Sequence, residues 1–145
     1  MAGISTGASV ATLDWMFGGK AAGSMSTRAV GLSLGTPSSV SASELATGSG
    51  ITRQTVTYSS AVAAGQSVGN SNAFTFGPIS AACTIIGLQV WDDGRTGTGT
   101  MWWYGTLATA RTLGVGDALV FNSNALIHTL TSFAGLLLAS VGLSA

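Results

Sequence analysis

Apolar and polar positions alternate in short runs along most of this chain, and a period of two is the mark of a half-buried strand. Residues 28–34 (RAVGLSL) set Val30, Leu32 and Leu34 between Gly31 and Ser33, which predicts a strand. Residues 51–59 (ITRQTVTYS) are dense in β-branched side chains. As a strand they place Ile51, Arg53, Thr55 and Thr57 on one face and Thr52, Gln54, Val56 and Tyr58 on the other. The stretches 36–43 and 47–50 are turn-rich, 61–70 with Gly65 and Gly69 reads as a loop, and a short strand at 72–76 ends at Gly77-Pro78. Residues 83–91 (CTIIGLQVW) are nearly continuous apolar, as expected of a strand covered on both faces. They predict the centre of the core.

Asp92-Asp93-Gly94 closes that strand, and the glycine-rich connection 92–100 turns it back as a hairpin into an aromatic strand at 101–107 (MWWYGTL). A further pair follows at 118–122 and 125–130, joined by a turn at Ser123-Asn124. The start of the chain differs: residues 8–17, with Ala11, Asp14 and the Gly18-Gly19 stop, suit a short helix bounded at about 8–18. About seven short strands at spacings of 8–12 residues, preceded by one short helix, predict an all-β fold, an antiparallel β-sandwich or jelly-roll-like domain. The 145 residues suit a single domain spanning 1–145, with 131–145 as an apolar C-terminal extension.

Charge narrows the function classes. Only 7% of residues are charged, and five Lys/Arg balance five Asp/Glu, so a nucleic-acid binder working through phosphate contacts is excluded. Mean hydropathy is +0.49, yet no stretch supplies the run of about 20 apolar residues that a spanning helix needs, and no membrane partner is expected. The N-terminal residues lack a basic region ahead of an apolar core, so no secretory signal is expected. Cys83 is the only cysteine, which excludes an internal disulfide and points to synthesis in a reducing compartment. A surface poor in charge has little repulsion to keep copies apart. Composition therefore favours an assembly subunit, a homo-oligomer.

Several pieces recur in an order that resembles a family of small tailed-bacteriophage virion proteins, described as tail-fibre-like, minor structural or head-decoration proteins. These are the N-terminal helix, the acidic residue, Gly-rich turn and Arg-Gln strand of 44–58 (ELATGSGITRQTVTY), and the Phe-Gly-Pro strand end at 74–78 (FTFGP). The closing block spans 86–107 (IGLQVWDDG through WWYGTL) and 115–130 (VGDALVF, ALIHTL). The resemblance runs from Ala11 to about Leu130, and residues 131–145 (TSFAGLLLASVGLSA) extend past its usual last strand. It implies a non-enzymatic virion component of all-β type, on the tail or on the head.

The candidate chemistry is sparse. His128, the only histidine, with Asp117 and a serine would meet the composition of a Ser-His-Asp relay, but no Gly-x-Ser-x-Gly elbow accompanies them. A strand histidine in a structural role is the plainer reading. Asp92 and Asp93 suit a turn better than a cation site, because calcium takes six to eight oxygens and no third acid lies near in sequence. Gly94, Gly97 and Gly99 lack the Gly-Lys-Ser/Thr of a phosphate loop. No catalytic residue, metal or cofactor is expected.

Partner contacts are the better expectation. Trp102, Trp103 and Tyr104 form the densest aromatic stretch, and alternation along a strand sets Trp102 and Tyr104 opposite Trp103. Trp15 and Phe17 near the N-terminus, and Phe133, Leu136, Leu137 and Leu138 in the C-terminal extension, complete the candidates. The first functional reading is a capsid decoration or cement protein that stabilises the head lattice by contacts with the major capsid protein or other virion proteins, assembled in the host cytoplasm and located in the virion. The alternative is a tail-associated or fibre protein, with the aromatic strand stacking on a receptor glycan.

Overall fold

A computed structural model of the chain describes residues 2–19, 27–39, 51–59 and 67–129. In chain order the elements are β1 (Ala2–Ile4), α1 (Thr6–Met16), β2 (Ala29–Ser33), β3 (Gln54–Thr55), β4 (Ser67–Gly69), β5 (Phe74–Phe76), β6 (Cys83–Trp91), β7 (Met101–Leu113), β8 (Leu119–Phe121) and β9 (Ile127–Thr129). The fold is all-β with one short N-terminal helix, as expected. Its strands form a five-stranded sheet in the order β1-β7-β6-β2-β3 and two two-stranded sheets, β4-β9 and β5-β8. The chain divides into two compact units, Met1–Val56 with Phe74–Val120, and Thr57–Ala73 with Phe121–Ala145.

The first unit is built on β6. This apolar strand pairs antiparallel with β2 from Ala29↔Trp91 to Ser33↔Gly87 and antiparallel with β7 on its other side. All five residues of β2 are buried, so the predicted strand at 28–34 is an interior one. Gly87 is required where backbones approach closely, since a Cβ there would lie 2.7 Å from the Gly105 carbonyl oxygen and 2.8 Å from Pro37. Ile85, Gln89 and Val90 of β6 are buried, as are Val30 and Leu32 of β2, and Val30 pairs with Val90 across the ladder.

β7 runs to Leu113, longer than the predicted 101–107, because its ladder with β6 is irregular. Ile85 pairs with Arg111 and Gly87 with Thr106, so one residue of β6 faces four of β7. A second irregularity sets Val90 against Trp103 and Trp91 against Met101, which leaves Trp102 as a bulge. The predicted strand at 51–59 contributes only the two ladder residues of β3, paired with Ala29 and Val30. Ile51, Arg53 and Val56 are its buried residues, so inward positions shift between Arg53 and Val56 and the even alternation expected through Thr57 is lost. The shift follows the backbone leaving the ladder after Thr55, where the Val56 N–H turns to the Arg28 carbonyl at 2.8 Å.

The helix begins two residues before the predicted start because Ser5 caps it. The Ser5 hydroxyl accepts from the Ala8 N–H at 3.1 Å, an N-cap worth about 1 kcal/mol, and donates to the Met101 carbonyl. The Ser5 N–H donates to the Trp102 carbonyl at 3.0 Å, so the cap fixes the helix start against β7. At the other end Gly19 takes φ +69°, which favours glycine. Ahead of the helix, β1 pairs with β7; its three residues are too short a run to show a period. The Phe74 and Phe76 side chains of β5 are buried and meet edge to face, with ring centres 5.9 Å apart.

In the second unit β4 and β9 pair antiparallel, with Val68 opposite His128. The loop expected at 61–70 thus yields a strand at its end. Asn70 organises this unit. Fully buried, its amide nitrogen donates to the carbonyls of Asn72 at 2.7 Å and Asn122 at 2.8 Å. Its side-chain oxygen accepts from the Leu126 N–H at 2.8 Å. The backbone joins in, because the Asn70 N–H donates to Leu126 at 3.1 Å and the Asn70 carbonyl accepts from Asn124 at 2.8 Å. Residues 131–145, the expected C-terminal extension, lie outside the described residues.

Candidate functional site

The expected aromatic strand sits at one end of the β6-β7 hairpin, whose connection is held by a buried arginine. Arg53 is 6% exposed. Its guanidinium lies 3.7 Å from the centre of the Trp91 ring, and Nη1 donates to the carbonyls of Asp93 at 2.8 Å and Thr98 at 2.7 Å. Stacking uses the ring's negative face while one nitrogen of the fork serves two backbone oxygens of the loop. An isolated strand arginine is expected to pair with a carboxylate or to cap carbonyls, and Arg53 does the second, but nothing local in 51–59 shows which loop the side chain will reach.

The two acids at the hairpin are occupied by the turn itself. Asp92 accepts from the Thr100 N–H at 2.7 Å and from the Trp102 indole N–H at 3.2 Å. Asp93 takes Arg95 in a two-point clasp, Nε at 3.2 Å and Nη2 at 2.9 Å, and also accepts the Arg95 N–H at 2.8 Å. The clasp holds the Asp93 carboxyl well below the usual carboxylate range and pushes the Arg95 guanidinium up. Gly99 closes the turn at φ +77°, where a Cβ would come within 2.6 Å of Asp92 Oδ1. Among the described residues, no three His, Cys, Asp or Glu side chains gather as a cation site.

Trp102, Trp103 and Tyr104 are all half-buried. The bulge at Trp102 interrupts strict alternation, so the stretch does not divide into one closed and one open face. Tyr104 stands opposite Gly3 of β1, and a Cβ at Gly3 would lie 2.8 Å from the Tyr104 hydroxyl. Trp15 and Phe17 are 54% and 70% exposed. The candidates Phe133, Leu136, Leu137 and Leu138 lie outside the described residues.

In the second unit His128 Nε2 is 3.1 Å from the Tyr58 hydroxyl, with the rings 5.3 Å apart. Burial lowers its pKa. Asp117, the acid weighed beside it, belongs to the first unit and accepts the Gly114 N–H at 2.7 Å within its own turn. Half-buried Cys83 begins β6, and burial raises its thiol pKa. No described helix is long and apolar enough to cross a membrane.

A family model described as Podophage GP4 fiber I protein gp80 matches residues 3–129, a span that reaches from β1 to the end of β9. The chain belongs to this family. It is therefore a bacteriophage structural protein of the virion, similar to tail-fibre components, as the resemblance implied. The gp80 match takes in the Arg-Gln strand, the Phe-Gly-Pro strand end and the Asp-Asp-Gly hairpin that carried the resemblance. No curated protein matches the chain.

Two outcomes follow from this geometry. Arg53→Met keeps the length of the side chain but leaves the Asp93 and Thr98 carbonyls without this donor. The variant should lose about 2–3 kcal/mol of stability, read as a lower urea midpoint by tryptophan fluorescence; an unchanged midpoint would show that the clamp is dispensable. The second outcome concerns pH. Because burial holds the folded pKa of His128 below its ordinary value of 6.5, the unfolded chain binds more protons in the window between the two. Stability therefore rises with pH through that window and is lost on acidification from 6.5 downward. The urea midpoint should fall between pH 7.5 and pH 5.5, and His128→Gln should flatten that fall.

Proposed function

We propose that the chain is a non-catalytic structural subunit of the phage tail fibre, held in the virion by contacts with other virion proteins and with copies of itself. The observation that carries this reading is the family match over residues 3–129, whose description names a fibre protein. Head decoration, the first reading of the sequence, draws on the same low charge and the same apolar surface. The fibre description is the reason for preferring the tail.

The polar groups support a structural role. Asp92 and Asp93 are spent on closing a hairpin and His128 is seated against Tyr58, so these groups serve the fold before they serve any chemistry. The half-buried aromatics favour packing over an open sugar platform, because stacking on a ring needs a face clear of protein.

Immunogold labelling of purified virions, with the copy number measured by quantitative mass spectrometry against the major capsid protein, tests the reading. Label on the tail and a count far below that of the capsid protein is the expected result. Label spread over the head, with a count comparable to the capsid protein, would overturn it in favour of decoration.

A further inference from the structure

The side chains of the second unit include one that changes its charge near neutral pH. Every Asp, Glu, Lys and Arg of the chain falls within the first unit, and residues 57–73 and 121–145 contain none. The titratable side chains left to the second unit are Tyr58, neutral up to about pH 10, and His128, the single histidine of the chain. An imidazole titrates between about pH 5 and 8. Its conversion to imidazolium therefore takes the side chains of the unit from no charge to one positive charge.

Three segments meet at that ring. Strand β9 carries His128 at the middle of its ladder with β4, where Val68 stands opposite. Tyr58 comes from a third segment, joined to the end of β4 by the bridge between Tyr58 and Asn70. Its hydroxyl lies 3.1 Å from His128 Nε2, and the two rings are tilted at 57°. The groups set against His128 by these segments are thus one titratable side chain, Tyr58, and one apolar side chain, Val68, all three being half-buried. Drawing an ion out of water is costly unless an opposite charge meets it, and the unit has no carboxylate side chain to offer. Burial moves the imidazole in the corresponding direction.

We propose that His128 is an acid-sensitive latch on the second unit: charging its imidazole frees β9 from β4 and from the segment that carries Tyr58, while the first unit stays folded. The neutral ring holds the three segments together, and the charged ring gains the water that the open arrangement supplies. The open state takes up its proton at the ordinary value of 6.5 and the closed state at a lower one. Closure is therefore weakened as pH falls from 6.5 to the closed-state value, and no further below it. Between pH 7.5 and 5.5 the open fraction rises by about tenfold at most. Beyond a loss of overall stability, the latch decides which strand leaves first. It holds whether the particle carries the chain on its tail or its head.

The test is residue-resolved hydrogen exchange of the full chain at pH 7.5 and 5.5, corrected for the intrinsic effect of pH on exchange, with the imidazole resonance followed by NMR over the same range. Amides of the β4-β9 ladder should be at least tenfold less protected than those of β2 and β6 at both pH values, as a local opening requires. Their protection should drop threefold to tenfold at pH 5.5, and the imidazole should titrate below 6.5. His128→Gln, neutral throughout, should abolish the drop. His128→Lys, charged throughout, should show the lower protection already at pH 7.5; should it not fold, the wild type and His128→Gln decide alone. Ladder protection that is the same at both pH values overturns the latch, as does an imidazole that titrates at or above 6.5. A drop that persists in His128→Gln assigns the effect to another group and overturns it too. Equal protection in the ladder and in β6 at pH 5.5 means that the chain opens as a whole, and the local latch is wrong.

Discussion

The antiparallel pairing of β6 with β2 on one side and β7 on the other is the constraint on which the first unit depends. It encloses an apolar strand whose backbone groups have partners on both edges, and such a strand cannot open without breaking many of those bonds together and exposing apolar side chains. The other features of the unit are attachments to this frame. The helix cap is tied to β7 through Ser5, and Arg53 reaches from beside β3 to the far end of the β6-β7 hairpin. Even the aromatic stretch takes its form from the ladder, because Trp102 is a bulge only through the mismatch in register.

Scarcity of charge sets how the chain uses the charges it has. Arg53, Asp92, Asp93, Arg95 and Asp117 each hold a turn or loop through backbone or close side-chain partners. Buried Asn70 does the same for the second unit without any charge at all, using its amide to join a carbonyl two residues on to backbone groups 52 and 56 residues away. With only 7% of its residues charged, the protein carries little charge of any kind. That composition suits a virion component, whose surfaces meet other proteins, and it accords with membership of the gp80 fibre family.

Sequence pattern reveals the frame better than the attachments. The nine-residue apolar run and the Asp-Asp-Gly turn that follows it specify β6 and its hairpin by local signals, and the structure has both. The helix is legible in outline, but its start depends on Ser5, a cap whose hydroxyl also reaches β7. Strand β1 escapes periodicity since three residues are too few to display a period, and β4 lies in a glycine-containing stretch that becomes a strand only because β9 is there to pair with it. The roles of Arg53 and Asn70 depend on partners about 40 to 56 residues away. No window of sequence contains both ends of those bonds. Family resemblance was readable where short motifs kept their order along the chain, while the position of the protein on the particle is not written in any of them.

Residue-resolved hydrogen exchange of the full chain tests the central claim, that β6 is the interior strand on which the first unit is built. The slowest amides of that unit should lie on β6 and on the β2 residues that face it, with the edge strands β1 and β3 exchanging sooner. Amides of β6 that exchange as fast as those of β1 and β3 would contradict the account.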